Sequence, residues 1–213
     1  MPAGLRALEY HRGRHWDISM TSVDGLAALY PQLAALERLA ITLGHLELGA
    51  IDLPALRDFE VTTGGFTSEN MQSVLAANWP KLERLSLTFG DSEDYGASTT
   101  LDDVLPLFTT SLPHLRHLAL ANAAFTDELL PALASSKLLA QLAKLELGQG
   151  HLSDVGAQVL IEHAAAFRHL EYIDISDSYI KPDVIARLVA ALPTVVGVES
   201  QMDTDDRYCQ IGE

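Results

Sequence analysis

One six-residue phrase, apolar at its first, fourth and sixth positions, returns eight times along this 213-residue chain. It reads LRALEY from Leu5, LERLAI from Leu36, LRDFEV from Leu56 and LERLSL from Leu82. It continues as LRHLAL from Leu115, LAKLEL from Leu142 and LEYIDI from Leu170, with a degenerate eighth copy, VVGVES, from Val195. Successive copies start 31, 20, 26, 33, 27, 28 and 25 residues apart. The mean of about 27 marks a stacked-repeat architecture. Each unit has too little apolar surface to stand alone and must bury its face against its neighbours.

Other features keep the phase. Pro54, Pro80, Pro113 and Pro193 each stand two residues before a first position. Proline cannot continue a helix, so it separates one unit's helix from the next strand. Position 9 reads Gly13, Gly44, Gly64, Gly90, Ala123, Gly150, Ser178 and Asp203. These mostly small residues predict a tight inward turn of the backbone. Position 11 is apolar at Leu46, Phe66, Phe125, Leu152 and Ile180. Thr67, Thr126 and Ser153 then read as helix N-caps, followed by Glu69, Asp127 and Asp154, with Pro182 at the equivalent first helical position. Downstream, Met71, Val74, Leu75 and Trp79 make one apolar stripe, and Val184, Ile185, Leu188, Val189 and Leu192 another. The predicted unit is strand, tight turn, helix, return.

This pattern resembles the leucine-rich-repeat family in its longer, ribonuclease-inhibitor-like form. The resemblance covers nearly the whole chain. It implies an α/β horseshoe of about eight repeats, a right-handed solenoid over 1–202, with a parallel sheet on the concave face and helices on the convex face. That family usually places Asn or Cys at position 9, so the small residues here leave loop amides in need of other partners. More narrowly, VTTGGFTSENMQSVL (61–75), the DYG loop (94–96) with the TTLDDVLPLF that follows it, and the terminal DDRYCQIGE are similar to an uncharacterised family of bacterial leucine-rich-repeat proteins. No activity is assigned to that family, and its members carry more chain ahead of the point where this sequence starts. Leu5 already opens a repeat. Either Met1 and its neighbours suffice as a cap, or the chain is a truncated product, or another chain covers the edge, edge-to-edge self-association included.

With positions 1, 4 and 6 in the core, positions 3, 5 and 7 point out. The candidate protein-binding face is thus Arg38, Asp58, Glu60, Arg84, His117, Lys144, Glu146, Tyr172, Asp174 and Glu199. Position 5 is acidic in five of eight copies, which suits a basic or mixed-charge protein partner. A solvated surface is the alternative. The long fourth interval carries DSEDYGASTT (91–100), whose Asp91, Glu93, Asp94 and Tyr95 form a candidate second contact. Asp91, Glu93, Gly96 and Asp102 match positions 1, 3, 6 and 12 of a calcium loop, but Tyr95 at position 5 and Asp102 in place of a bidentate Glu break the match.

The charge bounds the partner. Fourteen Lys and Arg against 29 Asp and Glu give −15, which argues against nucleic acid and anionic membranes. No apolar run reaches the length of a membrane span and no signal peptide is visible, so a cytoplasmic location is expected. The single Cys rules out a disulfide framework and Cys-based zinc sites. His114 and His117 are spaced to opposite faces of a strand, and His11 and His15 flank Gly13 in a basic patch read as a solvated turn. Cys209 has no placed base in the sequence and reads as a bystander. Trp16 and Trp79 read as packing residues. Segment 203–213 is either a cap folding Tyr208 and Ile211 over the last repeat or a free acidic tail. The expectation is a non-catalytic protein-interaction module without cofactor or metal. The alternative is the recognition part of a larger enzyme or sensor.

Overall fold

The computed structural model describes residues 4–11, 21–23, 25–91, 95–202 and 207–211. Ten strands form in it: β1 (Ala7–His11), β2 (Ser22–Val23), β3 (Arg38–Thr42), β4 (His45–Leu46), β5 (Asp58–Thr62), β6 (Arg84–Gly90), β7 (His117–Ala123), β8 (Lys144–Glu146), β9 (Tyr172–Asp174) and β10 (Val195–Val196). Eight of them make one sheet in the order β1-β3-β5-β6-β7-β8-β9-β10, every pairing parallel. β2 and β4 pair separately. The helices are α1 (Ser68–Ala76), α2 (Leu101–Val104), α3 (Thr126–Ala134), α4 (Asp154–Glu162), α5 (Ala164–Phe167) and α6 (Pro182–Ala191). The protein is thus an α/β fold built on a parallel sheet.

The repeated phrase sets the register. Leu39, Phe59, Leu85, Leu118, Leu145, Ile173 and Val195 lie side by side across the sheet, all buried. They join the helices' buried residues in one core. Along β3 and β5, buried and half-buried residues alternate, so one face is sealed and the other open. The carbonyls of Arg6, Glu37, Arg57, Glu83 and Arg116 each accept two amides of the following strand at 2.7–3.1 Å, which locks the strand starts in line.

The eighth copy falls in a different register from the one its sequence suggests. Val195 pairs with Ile173 and Val196 with Asp174. Val195 therefore holds position 4, not position 1, and the true phrase is LPTVVG from Leu192. Its sixth position is Gly197, at φ 76°, which gives the core no side chain and hides the match. Pro193 accordingly falls inside the phrase. Glu199 leaves the position 5 row, where Val196 stands, and lies exposed beyond the strand.

The left-handed residue of the turn stays at position 9 in the fourth unit, where Gly90 has φ 91°, and moves one position earlier in the next three. Asn122, Gln149 and Asp177, all at position 8, take the left-handed conformation at φ 55°, 67° and 51°. Position 9 is small because repeats stack there backbone to backbone. A Cβ on Gly90 would lie 1.8 Å from the Gly64 carbonyl oxygen, and one on Gly150 2.5 Å from the Ala123 nitrogen. The turn amides find the neighbouring backbone: Phe66 N donates to Phe89 O at 2.9 Å and His151 N to Ala123 O at 3.0 Å.

Helix content varies between units and is not set by interval length alone. Helices of nine or ten residues form in the third, fifth, sixth and seventh units. The 20-residue second unit has room for none, and the fourth makes the short α2 followed by a 3-10 turn at Leu105–Thr109. Thr67 and Ser153 cap their helices as expected, by accepting Asn70 N and Val155 N at 3.2 Å. Thr126 does not cap. It begins α3 and donates its hydroxyl to Ala123 O. Trp79 is buried, with its indole N–H donating to Val74 O and its ring 5.4 Å from that of Phe59. Among the described residues, no helix is long and apolar enough to cross a membrane.

Candidate functional site

The open face carries two rows fixed by strand register. The third-position row runs Ala7, Arg38, Asp58, Arg84, His117, Lys144, Tyr172, and the fifth-position row Glu9, Ala40, Glu60, Ser86, Ala119, Glu146, Asp174, Val196. Nine of the ten residues expected on this face are therefore on it, and only Glu199 is not. Three cations oppose five carboxylates across the two rows, so the face carries −2 of the chain's −15. An acidic stripe is the wrong description.

The first half of the face is an ion network. Arg38 contacts Glu9 at 3.2 Å, Glu60 at 3.6 Å and Asp58 more closely, and Arg84 bridges Asp58 at 3.0 Å and Glu60 at 2.6 Å. Burial works against the Arg84 charge, but Glu60 and Asp58 outweigh it and hold the guanidinium pKa above its ordinary value. These carboxylates are already satisfied. Ser86 and Ala119, at the centre of the fifth-position row, are buried between the longer Glu60 and Glu146.

The second half is different. Glu146 and Asp174 are register partners on β8 and β9 and flank a recess of about 140 Å³. Ala121, Gly148 and Ser176 line it too, together with Gln149. His117 Nε2 meets Glu146 at 2.5 Å, while Asp174 accepts the Tyr172 hydroxyl at 2.8 Å and the Ser176 amide at 2.7 Å. Burial and the Asp174 carboxylate push the Tyr172 phenol up to about 12, so it stays a donor. Lys144, exposed between His117 and Tyr172, has no ion pair among the described residues. A larger hollow, about 820 Å³ around Phe108, Leu112 and Leu138, has Lys137 as its one charged lining residue and offers no carboxylate, His or Cys.

Residues 95–100 of the 91–100 segment lie against the body of the fold. A Cβ on Gly65 would lie 1.7 Å from the Tyr95 carbonyl oxygen. Ser98 N and the Thr99 hydroxyl both donate to Phe66 O, at 3.2 and 2.9 Å. Residues 95–100 are therefore folded back onto the preceding repeat, and Tyr95 is half-buried there. Glu93 and Asp94, like His15 and Trp16, lie outside the described residues. Asp102 begins α2.

The C-terminal residues also turn back, but over several repeats rather than the last one alone. Tyr208 N donates to the Tyr179 hydroxyl at 2.9 Å, and that hydroxyl donates to Tyr208 O at 2.8 Å. Gln210 N donates to Gln149 O, and Asn122 grips Ile211 through both its amide atoms. Cys209 N donates to Asp91 Oδ2 across 118 residues of sequence. This strap brings Asp91, His151 and Cys209 together, with their ligand atoms all within 4.8 Å of one another. Cys209 thus lies beside two other groups able to ligate a metal. No sequence motif joins the three residues, because two separate turns and the strap supply them.

No protein-family model and no curated protein matches the chain. Among solved structures it is similar to a protein from Bacteroides fragilis determined by the Northeast Structural Genomics Consortium, at 27% sequence identity and a TM-score of 0.77. The match covers 84% of this chain and 52% of that one, so the chain spans about half the length of that protein. The likeness supports the α/β arrangement and carries no activity across.

Proposed function

We propose that the chain is a non-catalytic protein-interaction module of leucine-rich-repeat type, a horseshoe of about eight repeats that receives a protein partner on its strand face. The eightfold phrase and its stacking in register support the repeat reading. The observation that carries the function is the recess between Glu146 and Asp174. Two carboxylates one strand apart, over the small residues Ala121 and Gly148, make a socket for a Lys or Arg side chain. Lys144 beside it complements an acidic neighbour in the partner, which makes the site selective for a mixed-charge segment. The Arg38–Asp58–Arg84–Glu60 network occupies the same face towards the N-terminal strands.

Random peptides displayed on phage and panned on the purified chain test this. Enriched peptides are expected to carry a Lys or Arg. Their affinity should fall tenfold or more when Glu146→Gln and Asp174→Asn are combined, as loss of charge-assisted hydrogen bonds implies. Glu162→Gln, on α4, should change nothing. Enrichment of peptides without basic residues, or binding that survives the double substitution, overturns the proposal. A second reading makes the chain the recognition part of a larger enzyme or sensor. The 52% coverage of the similar Bacteroides protein is the observation that favours it.

A further inference from the structure

We propose that Asp91, His151 and Cys209 form a three-ligand site for a zinc-class divalent cation, which clamps the C-terminal strap to the body of the fold. Asp91 and His151 hold the same turn position, the tenth, in the fourth and sixth repeats. The repeat between them offers only Ala124 there. Across that small residue, His151 Nε2 comes to 3.3 Å from Asp91 Oδ2. The nitrogen is buried and makes no aligned hydrogen bond. Two ligands on one tetrahedral ion stand at this separation, because bonds of about 2.0–2.1 Å give edges of about 3.3–3.4 Å.

Cys209 supplies the third donor from above. Its thiol is buried, 3.1 Å from Asn122 O. Its position is fixed on both sides, by Tyr179 at Tyr208 and by Asn122 at Ile211. Tyr179 also packs its ring edge-on against His151, at 6.4 Å between centroids. Residues that hold the ligands from outside in this way tune metal sites.

The donor set selects the ion. Thiolate, imidazole and carboxylate suit zinc and its transition-metal neighbours, whereas calcium and magnesium take oxygen ligands. Charge selects it too. A dication with one carboxylate and one thiolate is neutral, which suits a buried sulfur. Without a cation, burial and the Asp91 carboxylate push the thiol pKa upward, so the sulfur keeps its proton. Binding breaks the S–H bond, releases that proton to solvent and forms the metal–sulfur bond. Three protein ligands leave a fourth position for water.

Cobalt(II) titration of the reduced full chain is the test. Stoichiometric binding should produce a thiolate-to-cobalt charge-transfer band that zinc displaces, with proton release on binding. Cys209→Ser should abolish the band. Asp91→Asn and His151→Gln, which keep the volume of each side chain, should weaken binding at least tenfold, with zinc raising Tm in the unsubstituted chain only. Circular dichroism checks that each variant folds. Absence of the band in the reduced chain overturns the site, as does full-strength binding in either Asp91→Asn or His151→Gln. Peptide capture by Glu146 and Asp174 is read separately, so the two proposals fail independently.

Discussion

The Asp127 carboxylate, on the first turn of α3, accepts both the amide and the hydroxyl of Ser153, the residue that caps α4 one repeat later. The distances are 2.8 and 2.5 Å, and Gly156 N donates to the same carboxylate at 3.0 Å. An acidic residue that reads as a partner of its own helix dipole is therefore the cap of its neighbour's helix. Asp154 repeats the arrangement by accepting Lys181 N at 2.8 Å, at the start of α6. Asp127→Ala strips two amides of their acceptor and is expected to cost about 1–3 kcal/mol. Urea unfolding should show a lower midpoint, with Asp127→Asn recovering part of the loss.

Gly65 has an ordinary φ yet no room for a side chain, because the Tyr95 carbonyl stands where its Cβ would be. Gly65→Ala is expected to lift residues 95–100 off the preceding repeat, at about 1–3 kcal/mol. Hydrogen exchange at Ser98 and Thr99, whose amides bond Phe66 O, should accelerate, while the amides of β8 and β9 stay protected.

Native Cys209 should react slowly with thiol reagents in metal-free buffer, being buried under the strap that Asn122 grips. Asn122→Gly removes that grip yet keeps a residue at ease in the left-handed conformation, φ 55°. Two lost hydrogen bonds of about 1 kcal/mol each predict a labelling rate about 5–30 times faster. An unchanged rate would mean that the strap does not depend on Asn122.

The Thr100 amide, at 2.8 Å, holds the Asp103 carboxyl below its usual range; burial opposes this, and the Thr100 and Ser68 hydroxyls add to the lowering. A carboxyl depressed in the folded state stabilises fully above its unfolded pKa of about 3.9, and this is lost as pH falls through the folded value. Asp103→Asn should cost about 1 kcal/mol at neutral pH, the value of a cap. The gap in Tm between the two proteins should close as pH drops below about 4.

Arg84→Met leaves Asp58 and Glu60 facing each other with only Arg38 between them. It is expected to destabilise by about 1 kcal/mol, and adding Glu60→Gln should restore most of that, because the two residues share one network. Thermal melts of the four members of the cycle measure the coupling.

The apolar phrase made the sheet legible, and with it the faces of Arg38, Glu60, Glu146 and Asp174, because a period of two forces alternate residues to opposite sides. It failed at Val195, where Gly197 left the sixth position empty and Pro193 mimicked a phase mark. It also could not tell that Arg38 and Arg84 neutralise the acidic residues beside them, since pairing depends on side-chain reach across strands. Of the site at Asp91, His151 and Cys209, the repeat spacing shows only that Asp91 and His151 share the tenth position; Cys209 lies outside the phase. The three residues meet only because Asn122, Gln149 and Tyr179 hold the returning chain, and each of those reads as an ordinary turn residue.

Both return segments have a consequence for how the molecule comes apart. A stack whose contacts pass from neighbour to neighbour is expected to fray from its ends, one unit at a time. The hydrogen bond from Cys209 to Asp91 breaks that rule. It ties the end of the chain to the fourth unit and wires the fourth to seventh units into a closed circuit. The last strand, only two residues long, then cannot peel away until the circuit opens, so these units should melt together as one block.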